Sequence, residues 1–202
     1  MSRLTLAILT LVGLAACGDR KPSQSLADRA GALAAGMNVD TLTVGGRREA
    51  VQFREASGAT FPLPFTVRVP DPMAVTTDRT AAGESVRLDA AGMGAWTLTL
   101  LADGTDEATA RAAADSVAGT LGTVSPADSA AVAAAPAPAS ALASFRTAGA
   151  GRSGAVWLGQ HAGRFYVVAS DAADAAREAV DARVAYVLDS WRWTDDGTAL
   201  GG

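Results

Sequence analysis

Polar and apolar residues alternate with a period of two along several short stretches of this chain. That is the pattern of half-buried strands. VDTLTV, beginning at Val39, and RREAVQF, ending at Phe53, flank Gly45-Gly46, whose positive φ suits a two-residue turn, so a hairpin is expected. Phe61 to Val69 (FPLPFTVRV) reads as a strand with Phe65, Val67 and Val69 inward and Thr66 and Arg68 outward. Pro62 and Pro64 lack amide donors, which places that end at a sheet edge. Pro70-Asp71-Pro72 turns the chain, and Val86 to Leu88 is a short strand. Trp96 to Leu101 is a clear one, with Trp96, Leu98 and Leu100 on the core face. AVWLGQ and RFYVVAS, around His161-Ala162-Gly163, are apolar on both faces and are expected in the middle of a sheet covered on both sides.

Helical spacing appears elsewhere. Leu26, Ala30, Leu33 and Met37 share a face after a cap at Ser25. Thr105 is placed to cap a helix with Asp106 and Glu107 in its first turn and Ala110, Ala114, Val117 and Leu121 on its apolar face. The alanine-rich stretch from Thr123 to Gly154 suggests a helix starting at Ser125-Pro126 and ending at Ala-Pro-Ala-Pro (135–138). A second short helix, Ser140 to Thr147, carries Phe145, and a mobile GAGRSG loop (149–154) follows. Ser170 or Asp171 caps a last helix to about Ser190, with Ala176, Val180, Val184, Val187 and Trp191 as its stripe and Arg177 and Asp181 as an i,i+4 pair. The fold class is therefore α+β: an antiparallel sheet of about 6–8 strands packed with two main helices.

The first residues carry a different signal. Arg3 precedes Leu4 to Leu14, an uncharged run too short to cross a hydrocarbon core, which needs about 20 residues. It has the length of a signal-peptide h-region. Leu14-Ala15-Ala16-Cys17 follows and resembles the lipobox of bacterial lipoproteins. The resemblance implies cleavage between Ala16 and Cys17 and acylation of Cys17 with a diacylglyceryl group and an N-terminal fatty acid such as palmitate. Two or three chains on one residue hold a protein firmly on a bilayer. Cys17 is the sole cysteine, so no intramolecular disulfide and no thiolate metal cluster can form, and lipidation accounts for it. The expected organisation is a signal peptide over 1–16, a lipidated cysteine and polar tether over 17–38, one domain over 39–196 and a disordered tail over 197–202. The chain is expected in the cell envelope, facing the periplasm. In lipoproteins an Asp directly after the cysteine is linked to inner-membrane retention. Here Gly18 intervenes before Asp19, which slightly favours the outer membrane.

Composition excludes more than it indicates. The net charge is −4, and loss of Arg3 makes it −5. Phosphate-backbone binding needs concentrated Lys and Arg, so no nucleic-acid partner is expected. The 49% hydrophobic fraction is swollen by alanine. DGTDE (103–107) lacks calcium-loop spacing, and GAGRSG has no lysine after its glycines, so neither is read as an ion or phosphate loop. His161 is the sole histidine and reads as an exposed turn residue. Without cysteine partners it makes no usual zinc set, and no G-x-S-x-G accompanies it. Asp103, Asp171 and Asp196 fall at caps and turns. Trp157, His161, Tyr166 and Trp193 are the candidates for lining a ligand cleft, against a reading of Trp96, Trp157, Trp191 and Trp193 as packing anchors. No catalytic residue, metal or cofactor is assigned.

FTVRVPDPM (Phe65 to Met73), GRFYVVAS (Gly163 to Ser170) and the last helix running into Ser190-Trp191 give an order of elements similar to the PsbP-like α/β/α sandwich of photosystem II extrinsic proteins and their bacterial relatives. That resemblance implies a binding or assembly module and carries over no functional residue. The function expected is a membrane-anchored envelope lipoprotein whose non-enzymatic domain binds an envelope protein or small ligand. The alternatives are a hydrolase using acidic residues near the 149–164 loops and a structural envelope spacer.

Overall fold

The computed structural model describes residues 38–80, 83–126 and 142–200. The expectations for Cys17, the Leu26–Met37 helix and Ala127 to Pro138 lie outside these residues. Eleven strands and two α-helices follow in the order β1 (Asn38–Val44), β2 (Arg47–Ser57), β3 (Phe65–Pro70), β4 (Ala74–Thr80), β5 (Gly83–Asp89), β6 (Gly94–Leu100), α1 (Glu107–Leu121), β7 (Thr123–Pro126), β8 (Ala143–Gly149), β9 (Arg152–His161), β10 (Arg164–Ala173), a 3-10 turn (Asp174–Ala176), α2 (Arg177–Ser190) and β11 (Arg192–Trp193). They form two sheets: a four-stranded one ordered β1-β2-β3-β11 and a seven-stranded one ordered β4-β5-β6-β10-β9-β8-β7. Every pairing is antiparallel. The α+β class holds, with a second sheet that the strand pattern did not separate from the first.

The large sheet carries apolar side chains on both faces. On one face Val156, Leu158, Phe165 and Val167 meet Ala110, Ala114 and Ala118 of α1. On the other, Trp96, Leu98, Trp157, Tyr166 and Val168 join Phe65, Val67 and Val69 of β3 and Val180, Val184 and Val187 of α2 in one cluster. Helix α2 packs on β3 and β1 and also touches β6 and β10. β10 is the fourth of the seven strands, which is where its continuous apolar run belongs. In β6 the residues Gly94, Trp96, Leu98 and Leu100 alternate as buried with half-buried neighbours.

Several local readings change. Asp106, not Thr105, caps α1: its carboxylate accepts from the Thr109 N–H at 2.7 Å. Ser140 to Thr147 is not a helix, because Ala143–Gly149 forms β8 and pairs residue by residue with β9. Ser125-Pro126 ends strand β7 instead of starting a helix. Sheet pairing overrides the helix propensity of these alanine-rich segments. GAGRSG is mostly ordered ladder. Gly149 pairs with Arg152, and Ala150 (φ 35°) and Gly151 (φ 74°) make a two-residue turn. Ser170 and Asp171 do not cap α2. β10 runs on to Ala173, Ser170 is buried, and Arg152 Nη2 donates to Asp171 Oδ2 at 2.6 Å across the hairpin. β4 follows the Pro70-Asp71-Pro72 turn as a full strand, where the sequence pattern predicted none.

β3 is not at an edge. It begins at Phe65, after both prolines, and lies between β2 and β11. β11 pairs with only Phe65 and Thr66. Further along β3 the Arg68 N–H is met by Ser190, whose hydroxyl accepts from it at 3.0 Å. Residues Gly197 to Leu200, assigned above to a tail, belong to the folded body. Ala199 bridges to Arg192, and Leu200 is 4% exposed. Among the described residues no helix is long and apolar enough to cross a membrane.

Candidate functional site

Trp157, His161, Tyr166 and Trp193 lie on one side of the large sheet. Strand alternation puts Trp157, Gly159 and His161 on the same face of β9, and Tyr166 faces them from β10, in register with Gly159. Gly159 is what makes room. A Cβ there would stand 2.3 Å from the Tyr166 ring, so the phenol covers the β9 backbone directly. Trp193 arrives from β11, which α2 places on the same face. Its ring lies 4.7 Å from the His161 ring at an angle of 10° and 5.9 Å from that of Tyr166.

The four residues therefore meet, but as packing. Trp157, Tyr166 and Trp193 are each no more than 1% exposed. Burial pushes the Tyr166 phenol up to about 12. The Tyr166 hydroxyl and the Trp157 Nε1 lie buried without a hydrogen-bond partner among the described residues.

His161 differs from the expected exposed turn residue. It is the last residue of β9, pairs with Arg164, and its side chain is only 9% exposed. Ala162 (φ 48°) and Gly163 (φ 77°) make the turn beyond it. With one ring face on Trp193, the imidazole turns Nε2 outward to a second turn, Thr194 to Gly197. That turn is closed by hydrogen bonds from the Trp193 N–H to the Thr198 carbonyl and from the Gly197 N–H to the Trp193 carbonyl, each 2.9 Å. At its tip Asp195 presents both carboxylate oxygens to Nε2 at 3.0 Å. An ionised carboxylate only accepts, so Nε2 carries the hydrogen. Asp196 stands next to it, and its Oδ1 accepts from the Thr198 N–H at 2.8 Å and hydroxyl at 2.7 Å. These bonds, with a smaller contribution from His161, hold the Asp196 carboxyl below the usual aspartate value.

The result is a corner with one imidazole and two carboxylates, whose ligating atoms lie within 4.8 Å of one another. In the sequence Asp196 reads as a turn residue, and nothing there connects Asp195 with His161. Thirty-four positions separate the two, and no local pattern links them.

Open surface lies elsewhere. A groove of about 470 Å³ runs between β2, β3 and the end of α2, lined by Glu55, Arg68, Asp189 and Arg192 among others. The two turns of the 149–164 region sit at opposite ends of β9. Ten residues at about 3.3 Å each put them some 30 Å apart. No protein-family profile and no curated protein sequence matches this chain.

Proposed function

We propose that this chain is a lipid-anchored lipoprotein of the cell envelope and that its α+β body is a non-enzymatic binding or assembly module. The observation that carries the reading is the run from Leu4 through Leu14-Ala15-Ala16-Cys17. An uncharged h-region leads into two small residues and the chain's sole cysteine. β1 begins at Asn38. About 20 residues thus separate the acylated cysteine from the first strand, a covalent reach of up to about 70 Å. That suffices to hold the body clear of headgroups.

The binding-module reading follows the resemblance of the element order to the PsbP-like fold, and His161 serves the packing of the body: its Nε2 is engaged by Asp195 and its ring by Trp193. Within the fold class we propose the PsbP-like sandwich as the finer assignment. In its support, α1 lies on one face of the seven-stranded sheet and α2 on the other.

The anchor is tested by mass spectrometry of the mature protein and by fractionation. The expected outcome is a diacylated or triacylated Cys17 as first residue and a membrane-bound chain, with Cys17→Ser released to the soluble fraction. A bare thiol at Cys17, or an uncleaved leader, overturns the assignment. Crosslinking in intact cells separates module from spacer: a module returns a stoichiometric partner and a spacer returns none.

A further inference from the structure

We propose that His161, Asp195 and Asp196 form a binding site for a divalent transition-metal cation. The donor set is one imidazole nitrogen and carboxylate oxygens from two residues, all within 4.8 Å of one another. Imidazole with carboxylate suits divalent ions of intermediate hardness, such as Mn²⁺, Co²⁺, Ni²⁺ and Zn²⁺.

Nε2 stands 3.0 Å from each oxygen of Asp195, a hydrogen-bond contact. An ion about 2.1 Å from each donor would take its place as the exposed Asp195 side chain swings aside, with the remaining positions left to water.

Charge also favours a cation at this corner. Asp195 and Asp196 are adjacent carboxylates, and among the described residues no arginine makes an ion pair with either. The other exposed acids that form ion pairs in this body do so with arginine, as Asp71 does with Arg54 and Glu107 with Arg111. Here two negative charges face an imidazole, and a divalent cation would neutralise both.

The ligands are also held in place. The His161 side chain is buried against Trp193, which fixes the ring plane and leaves Nε2 as the outward atom. Thr198 fixes the Asp196 carboxylate, while Asp195 is 44% exposed, so the ion has a path in from solvent. A bound ion would replace the Nε2–Asp195 hydrogen bond, with the ring hydrogen carried on Nδ1 instead. It would tie the end of the β9–β10 hairpin to the turn that follows β11.

The test uses the untagged full chain, whose single histidine makes the imidazole resonances unambiguous. Titration with Co²⁺ is expected to shift or broaden that one imidazole pair at sub-millimolar metal, and to raise the melting temperature. His161→Gln and Asp196→Asn are each expected to weaken the affinity at least tenfold and to abolish the thermal shift. Should His161→Gln lose its near-UV signature, Asp196→Asn decides alone, since its side chain lies outside the core. Imidazole lines unmoved at 1 mM Co²⁺, or affinity unchanged in Asp196→Asn, overturns the site.

Discussion

Trp191 touches three other rings: Phe65 stacked at 4.1 Å, Trp193 edge-on at 5.4 Å and Trp96 tilted at 5.7 Å. A core rich in alanine gains much of its buried area from such residues, which is why all four tryptophans are fully buried. Composition pointed to that role, against the reading of Trp157 and Trp193 as lining a ligand cleft. The contact of His161 with Asp195 was not legible, because it joins residues distant in sequence across two turns. The tyrosines give a pH prediction at this scale. Tyr166 and Tyr186 are the two in the chain. Burial raises the Tyr166 phenol to about 12, and burial, followed by the Asp40 carboxylate, raises that of Tyr186 to about 12. A phenol with a raised folded-state pKa favours its neutral form in the native state. Its stabilising effect is thus complete below the unfolded value near 10 and fades as pH climbs from about 10 through about 12. Spectrophotometric titration of the folded chain is expected to show little tyrosinate at pH 10.5, and guanidinium midpoints are expected to fall between pH 10 and 12. More than one equivalent of tyrosinate by pH 10.5 without unfolding would contradict the burial of Tyr166.

Among elements, α1 shows how a sequence poor in large side chains packs a helix. Ala110, Ala114 and Ala118 are each 0% exposed, so the helix backbone lies close on β8, β9 and β10. The sequence pattern named Ala110 and Ala114 but continued to Val117 and Leu121, which are only partly buried, and passed over Ala118. Replacing Ala114 with Leu forces the helix away from the sheet or strains the side chain, and a loss of about 1–3 kcal/mol is expected in denaturant unfolding. A neutral result would mean that the face is looser than its burial indicates. β8 and the end of β10 went the other way. Strand signals are thin in ASFRTAG, where Phe145 is the sole large apolar residue, and alanine there favours a helix until β9 offers a ladder of paired residues from Ala143 to Gly149. Ser170 and Asp171 look like caps because their side chains can bond locally. In the sheet one is buried in register with Trp96 and the other pairs with Arg152.

For the whole molecule, the two core clusters draw every buried member from Phe61 to Leu200. A chain beginning at Asn38 keeps all described strands and both helices. It is expected to unfold cooperatively with an unchanged near-UV spectrum. Loss of cooperativity in that variant would show that the residues before Asn38 contribute to the body. The proposed anchor and the body are then separable, one read from a short local motif and the other from packing.

The sequence by itself determined what depends on neighbours along the chain: the uncharged run before Cys17, the alternation in β6, the doubly apolar β9–β10 hairpin and the valine stripe of α2. Tertiary structure decided what depends on residues brought from afar. It divided the strands into two sheets, turned an alanine-rich segment into β8, and carried Asp195 and Asp196 to His161. The physical reason is that periodicity records which face of an element is buried, while ladder partners and side-chain clusters form between segments whose separation leaves no local trace.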